Sequence, residues 1–222
     1  MPMGEAGVLI ALWIAFAATH MGLSSVRLRP ALLARLGEQG FLAAYSLVSF
    51  AIFVPLVWYY FAHKHAGSLL WTVPIGTAGR WAIYVGMGVA FVLMACALVR
   101  PSPHAVGGDR SGGVNGLQRI TRHGLFMGLA LFAALHLIPN GYASDVAFFG
   151  GLAVFSVVGA AHQDRRKLVL EAETYGPLVE QTPFLPFTGS ETLQGLRGLP
   201  VLGLVLGVAL TVVLRWFHGS LF

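Results

Sequence analysis

The sequence predicts an all-α fold, a polytopic bundle of about six transmembrane helices. Three observations carry this. Of 222 residues, 56% are hydrophobic and only 10% charged, against about 25% charged in a soluble domain, and the mean hydropathy is +0.74. Six apolar runs are separated by polar connections. No segment alternates apolar and polar residues as the strands of a membrane barrel do. A chain of this composition cannot cover a globular surface in water, so its first partner is the lipid bilayer. No polar stretch is long enough to bury a second core, and residues 1–222 read as a single integral membrane domain.

The first run covers residues 6–23. A signal peptide carries positive charge before its apolar core; here Glu5 precedes the run and Arg27 and Arg29 follow it, so the segment reads as a retained helix. The second and third runs, 41–62 and 81–99, are long enough to span. The fourth and fifth, 125–138 and 146–161, fall short of the about 20 residues a span needs. Pro139-Asn140-Gly141 joins them, a strong turn signal. They read either as full spans that borrow flanking residues or as a hairpin. The sixth run is 199–217.

The connections give the orientation. Those after the first, third and fifth runs hold Arg27, Arg29 and Arg35; Arg100, Arg110, Arg119 and Arg122; and Arg165, Arg166, Lys167 and Arg197. These are eleven of the 14 lysines and arginines. Positive residues stay on the cytoplasmic side, so a multi-pass protein of a bacterial inner membrane is expected, with both termini outside the cytoplasm. The net charge of +5 is therefore topological and implies no nucleic-acid partner. Residues 101–121, rich in Gly, Pro, Ser and Asn, read as a mobile loop. Residues 164–176 mix apolar and charged side chains and read as the fifth helix leaving the membrane or as an interfacial helix. Pro183 and Pro186 bracket an apolar turn. The single cysteine, Cys96, excludes an intrachain disulfide and reads as a small buried hydrophobe.

Histidine carries the candidate chemistry. Ionisable groups inside a membrane are costly and mark function, and imidazole is the commonest metal and haem ligand. His20 lies within the first run among small residues. His136 lies in the fourth with no charged neighbour. His63 and His65 follow the second run at the interface. His123 opens the fourth run and His162 closes the fifth, where Asp164 is placed to fix a tautomer; these two form a candidate polar site at the cytoplasmic face. His104 and His218 have no partner the sequence can name, and Asp145 and Glu38 read as solvated acids in connections. No GxSxG, Walker A, HExxH or paired CxxC motif occurs.

THMGLSSVR around His20, YYFAHKHAGSLLW around His63, TRHGLFMG and LHLIPNG around His123 and His136, and HQDRRK from His162 occur in this order. Together they resemble the NnrU family of bacterial membrane proteins. The resemblance implies a role in nitric oxide or nitrite metabolism, that is denitrification. It also implies a relation to zeta-carotene isomerase, a haem b protein that isomerises a carotene double bond. By motif, the haem-ligand histidines of that enzyme fall on His20 and His136, with His63, His123 and His162 on or near other histidines of the pattern. Two departures stand. Arg122-His123 is followed by Gly124 where the family usually has proline. Ala133 replaces a cysteine three residues before the fourth-helix histidine, so thiolate ligation there is excluded. A weaker resemblance, carried by Arg122-His123 and Leu170–Gly176 (LEAETYG), is to isoprenylcysteine-type methyltransferases. It implies S-adenosylmethionine at the cytoplasmic face, with His123, Glu171 and Tyr175 as its site. A non-catalytic membrane component is the third possibility.

Counted from Arg27 and Arg122 as boundary markers, His20 lies roughly 10 Å deep and His136 roughly 21 Å deep. Two axial nitrogens sit about 4 Å apart, twice a metal–nitrogen bond. The spacing permits either His20 or His63 opposite His136; the resemblance selects His20. A fully ligated iron suits redox chemistry or gated loss of one ligand. The apolar surroundings suit an apolar polyene or a gas such as nitric oxide.

Overall fold

The computed structural model describes residues 4–104 and 113–221, and every element among them is a helix. Five helices are long and apolar enough to cross a membrane: α1 (Glu5–Leu23), α2 (Leu28–Ala62), α3 (Thr77–Val99), α6 (Ala143–Leu170) and α9 (Val201–Leu221). The sixth apolar helix, α5 (Gly124–Leu137), has 14 residues, about 21 Å of rise. Three shorter helices complete the set: α4 (Gly116–Ile120), α7 (Ala172–Gln181) and α8 (Thr192–Arg197). The all-helical membrane bundle is as expected.

The differences lie at the element ends. The fifth apolar run is the middle of α6, whose 28 residues include the charged turn after His162; the backbone hydrogen-bond ladder continues where the apolar period stops. Residues 164–176 continue α6 as far as Leu170 and then open a separate helix, α7. The second helix begins 13 residues before its apolar run and is broken at Gly37, where φ is 68° and ψ 176°, a conformation that costs glycine no Cβ clash. The expected loop at 101–121 contains α4, closed by an Asn115–Gln118 capping box. Residues 105–112 of that loop, with Arg110, lie outside the described residues.

Two compact units result. The first is Met1–Val73 with His136–Leu170. In it α1 packs on α2 and on α6 through Trp13, Phe16, Leu56, Tyr60, Phe148 and Leu152. Trp13 Nε1 donates to the Phe148 carbonyl at 3.1 Å, which satisfies the indole polar atom in an apolar site. Its ring lies where a Cβ on Gly151 would stand, so only glycine lets the two helices approach so closely. The second unit is Pro74–Leu135 with Glu171–Phe222. Its main contact is α3 on α9, where Gly203 and Gly207 bring the backbones together; Cβ atoms there would lie 2.8 Å from Cys96 and 2.6 Å from Val92. Small residues at such contacts are the usual membrane solution, since lipid is as apolar as leucine. Cys96 is fully buried there, with Leu93, Leu117 and Ile120, the small hydrophobe expected. An apolar cleft of about 520 Å³ opens between α3, α5 and α9, lined by residues such as Phe91, Met94, Phe132 and Leu206.

Large apolar side chains point outward on the long helices: Leu47 is 71% exposed, Trp58 69%, Val201 74% and Trp216 82%. In water this surface would cost about 25 cal/mol per Å². In a bilayer it is matched.

Candidate functional site

In the first unit α2 runs antiparallel to α1, and α6 runs parallel to it. Phe53, Ser49 and Tyr45 therefore meet Phe16, His20 and Ser24 in turn, while Phe148, Phe155 and His162 of α6 meet Trp13, Phe16 and Ser24. Three polar groupings follow.

The first surrounds His20. Its Nδ1 pairs with Ser49 Oγ at 3.0 Å, and its ring packs on Tyr45, Phe16 and Phe155 at centroid distances of 4.6, 5.1 and 5.4 Å. Nε2 makes no hydrogen bond among the described residues. The tautomer in which Nδ1–H donates to Ser49 leaves the Nε2 lone pair available, the arrangement in which a second group orients a metal-ligating imidazole. One turn further along α1, Ser24 Oγ pairs with His162 Nε2 at 3.3 Å, and Arg166 donates from Nη1 to the Ser24 carbonyl at 3.3 Å. The Tyr45 hydroxyl lies beside the Ser24 side chain. Ser24, and not the expected Asp164, is the partner of His162. Asp164 sits on another face of α6, which it shares at i, i+3 with the equally buried Lys167.

The second grouping centres on Asp145. This carboxylate is fully buried in the first turn of α6, which corrects the expectation of a solvated acid. It accepts from the Tyr60 hydroxyl at 3.0 Å, the His65 backbone N–H at 3.2 Å and His65 Nδ1 at 2.8 Å. Those bonds hold His65 at a φ of 57°, a left-handed conformation unusual for a residue with a side chain. Ser144 reinforces the junction, its Oγ accepting from the Ala66 N–H at 2.9 Å. The sequence carried a signal for this residue: an Asp immediately before an apolar period marks a helix start. Tyr60 stacks on Phe148 at 4.0 Å and meets Phe149 edge-on; Phe149 in turn stacks on His136 at 4.5 Å. His63 closes α2 locally: its Nδ1 pairs with the Tyr59 carbonyl at 2.9 Å and its ring stacks on Tyr59.

His20 and His136 thus belong to the same unit and lie against the same helix, on Phe155 and Phe149 respectively. Six residues separate those rings along α6, about 9 Å of rise, and His136 is not among the rings that touch His20.

The third grouping is in the second unit. His123 is buried, edge-on to Phe184 at 5.4 Å. The Arg122 guanidinium lies over the same ring and donates to the Thr182 carbonyl at 2.7 Å. Glu171 and Tyr175 do come together, but around His104, whose Nδ1 is 3.8 Å from Glu171 Oε2 and whose ring stands edge-on to Tyr175. His104 therefore has partners that the sequence did not name. No group of three or more His, Cys, Asp or Glu able to hold a metal ion occurs among the described residues.

The sequence profile described as "NnrU protein" matches residues 8–222. The chain belongs to the NnrU family. Two chloroplastic relatives, each called 15-cis-zeta-carotene isomerase, are similar to this NnrU chain. The one from Zea mays is 26% identical over 202 residues, covering 87% of this chain and 52% of the relative. The one from Arabidopsis thaliana is 25% identical over 201 residues, covering 86% and 52%. The chain thus spans about half the length of these relatives. No solved structure matches it.

Proposed function

We propose that this NnrU protein is a haem b-binding isomerase of an apolar polyene within a bacterial inner membrane, in which His20 and His136 would hold the haem. The supporting observation is the His20 imidazole, oriented through Nδ1 by Ser49 with Nε2 unengaged, inside a wall of aromatic rings. That donor chemistry fits a haem ligand. The names of the similar proteins support an isomerase over the nitric oxide or nitrite role, and a carotene is a hydrocarbon that dissolves in the bilayer. Bound there, the haem would supply an iron able to change oxidation state. The chain's own contributions are separate from that. Ser49 fixes the His20 tautomer. Phe16, Phe53 and Phe155 exclude water from the ring's surroundings. His136 is stacked on Phe149, six residues along α6 from the Phe155 ring that touches His20.

The rival S-adenosylmethionine reading places the site on His123, Glu171 and Tyr175 in the second unit. One experiment separates the readings. The purified protein should show a Soret band that shifts on dithionite reduction. His20→Ala and His136→Ala should each abolish or alter it, and His104→Ala should leave it unchanged. A colourless protein that binds S-adenosylmethionine, with His123→Ala and Glu171→Ala removing that binding, would overturn the haem reading. A Soret band indifferent to His136→Ala but lost in His63→Ala or His162→Ala would replace the second ligand.

A further inference from the structure

The surroundings of His20 are polarised along the helix axis. One turn toward the start of α1 everything is aromatic: Phe16 meets Phe53 at 5.3 Å and Phe155 at 4.8 Å, and Trp13 lies beyond. One turn the other way stand a hydroxyl on α1 (Ser24), a phenol on α2 (Tyr45), and an imidazole and a guanidinium on α6 (His162 and Arg166). Ser24 touches both α6 groups at 3.3 Å. His162 and Arg166 are spaced i, i+4 and so share one face of α6. The guanidinium groups that act on these side chains are Arg166 on His20, Tyr45 and His162, Arg29 on Tyr45, and Arg165 on His162. The three helices thus build an apolar wall with a rim of hydrogen-bond donors in a positive field, and His20 stands at the boundary.

Such a site matches a flat amphiphile that is apolar over most of its body and anionic at one edge. Resting on the haem reading above, we propose that Ser24, Tyr45, His162 and Arg166 seat the propionate carboxylates of the haem that His20 ligates. The guanidinium suits a carboxylate in a forked pair, and the Ser24 and Tyr45 hydroxyls add donors. The seat would fix which edge of the ring faces the membrane surface. It also gives His162, eight residues before the end of α6, a role distinct from holding the iron.

The test compares haem b with its dimethyl ester, which keeps the iron and the ring but removes both charges. Each is titrated into haem-depleted protein in nanodiscs and followed by its Soret band. The wild type should bind the free acid at least about tenfold more tightly than the ester, the scale of charge-assisted hydrogen bonds lost. Arg166→Gln should remove most of that preference, and Arg166→Lys should restore part of it. Tyr45→Phe provides a milder second variant should Arg166→Gln misfold. Phe16→Ala should weaken both ligands alike. Equal affinity of the wild type for acid and ester overturns the seat while the haem reading stands. Absence of a Soret band with either compound overturns both.

Discussion

Asp145 is the residue whose environment differs most from its sequence context. A carboxylate with no solvent contact, at the start of a membrane helix, needs its charge or its proton satisfied inside the protein. Tyr60 and His65 do this from two different segments, and the same bonds tie the turn after α2 to α6. Asp145→Ala leaves the Tyr60 hydroxyl and the His65 N–H without an acceptor. The expected cost is about 2–3 kcal/mol, read as faster hydrogen exchange over residues 63–70 and a lower midpoint of unfolding in sodium dodecyl sulfate. Asp145→Asn retains an acceptor for Tyr60 and should cost less. If both variants match the wild type, the carboxylate does not hold this junction. The same logic explains why His65, half exposed, needs no partner beyond Asp145, and why His63, one helix turn after Tyr59, spends its ring locally.

At the scale of the helix, what was legible in the sequence is what composition and period control. Apolar runs of about 20 residues can only be helices in lipid, because every backbone N–H and C=O must be satisfied within the segment, and α1, α3 and α9 stand within a few residues of their runs. What was not legible lies where polar residues continue a helix already started. The ladder carries α6 through His162, Asp164 and Arg166, and it carries α2 back to Leu28 as far as the break at Gly37 permits. The site divides in the same way. His20 and His162 could be picked out singly, but their common neighbour Ser24 and the α2 partners Ser49 and Tyr45 depend on helix register, which period alone does not set. The α3–α9 contact is likewise a matter of register, and glycine decides it. Gly203→Val and Gly207→Val place atoms inside Cys96 and Val92 and should each destabilise the fold by about 1–3 kcal/mol. Gly88→Ala, whose Cβ would meet Thr211 at an ordinary 3.7 Å, should be neutral or slightly stabilising. Equal unfolding midpoints for all three would show that the two helices do not pack through these glycines.

At the scale of the molecule, the unequal ends of the first unit bear on orientation. The contact of Arg166 with the end of α1 brings two of the three basic connections together: Arg27 and Arg29 follow α1, and Arg165 and Arg166 lie in the last turns of α6. At 28 residues α6 rises about 42 Å, longer than the about 30 Å hydrocarbon core, so one end must emerge, and the end with Arg165 and Arg166 is the one that water and anionic headgroups favour. The opposite end carries Lys64 as its one lysine or arginine, beside the Asp145–His65 contact. From the positive-inside rule we propose that the Arg166 end faces the cytoplasm and the Asp145 end the outside. In a Cys96→Ala background, Ser68→Cys sits in the exposed turn at the Asp145 end, and Ser190→Cys in an exposed connection of the second unit on the side assigned to the cytoplasm by charge. An impermeant thiol reagent applied to intact spheroplasts should label Ser68→Cys and spare Ser190→Cys until the cells are lysed. Labelling in the reverse order would invert the protein in the membrane. It would also move the cationic rim beside His20 to the outer surface, where little anionic lipid competes with a bound carboxylate.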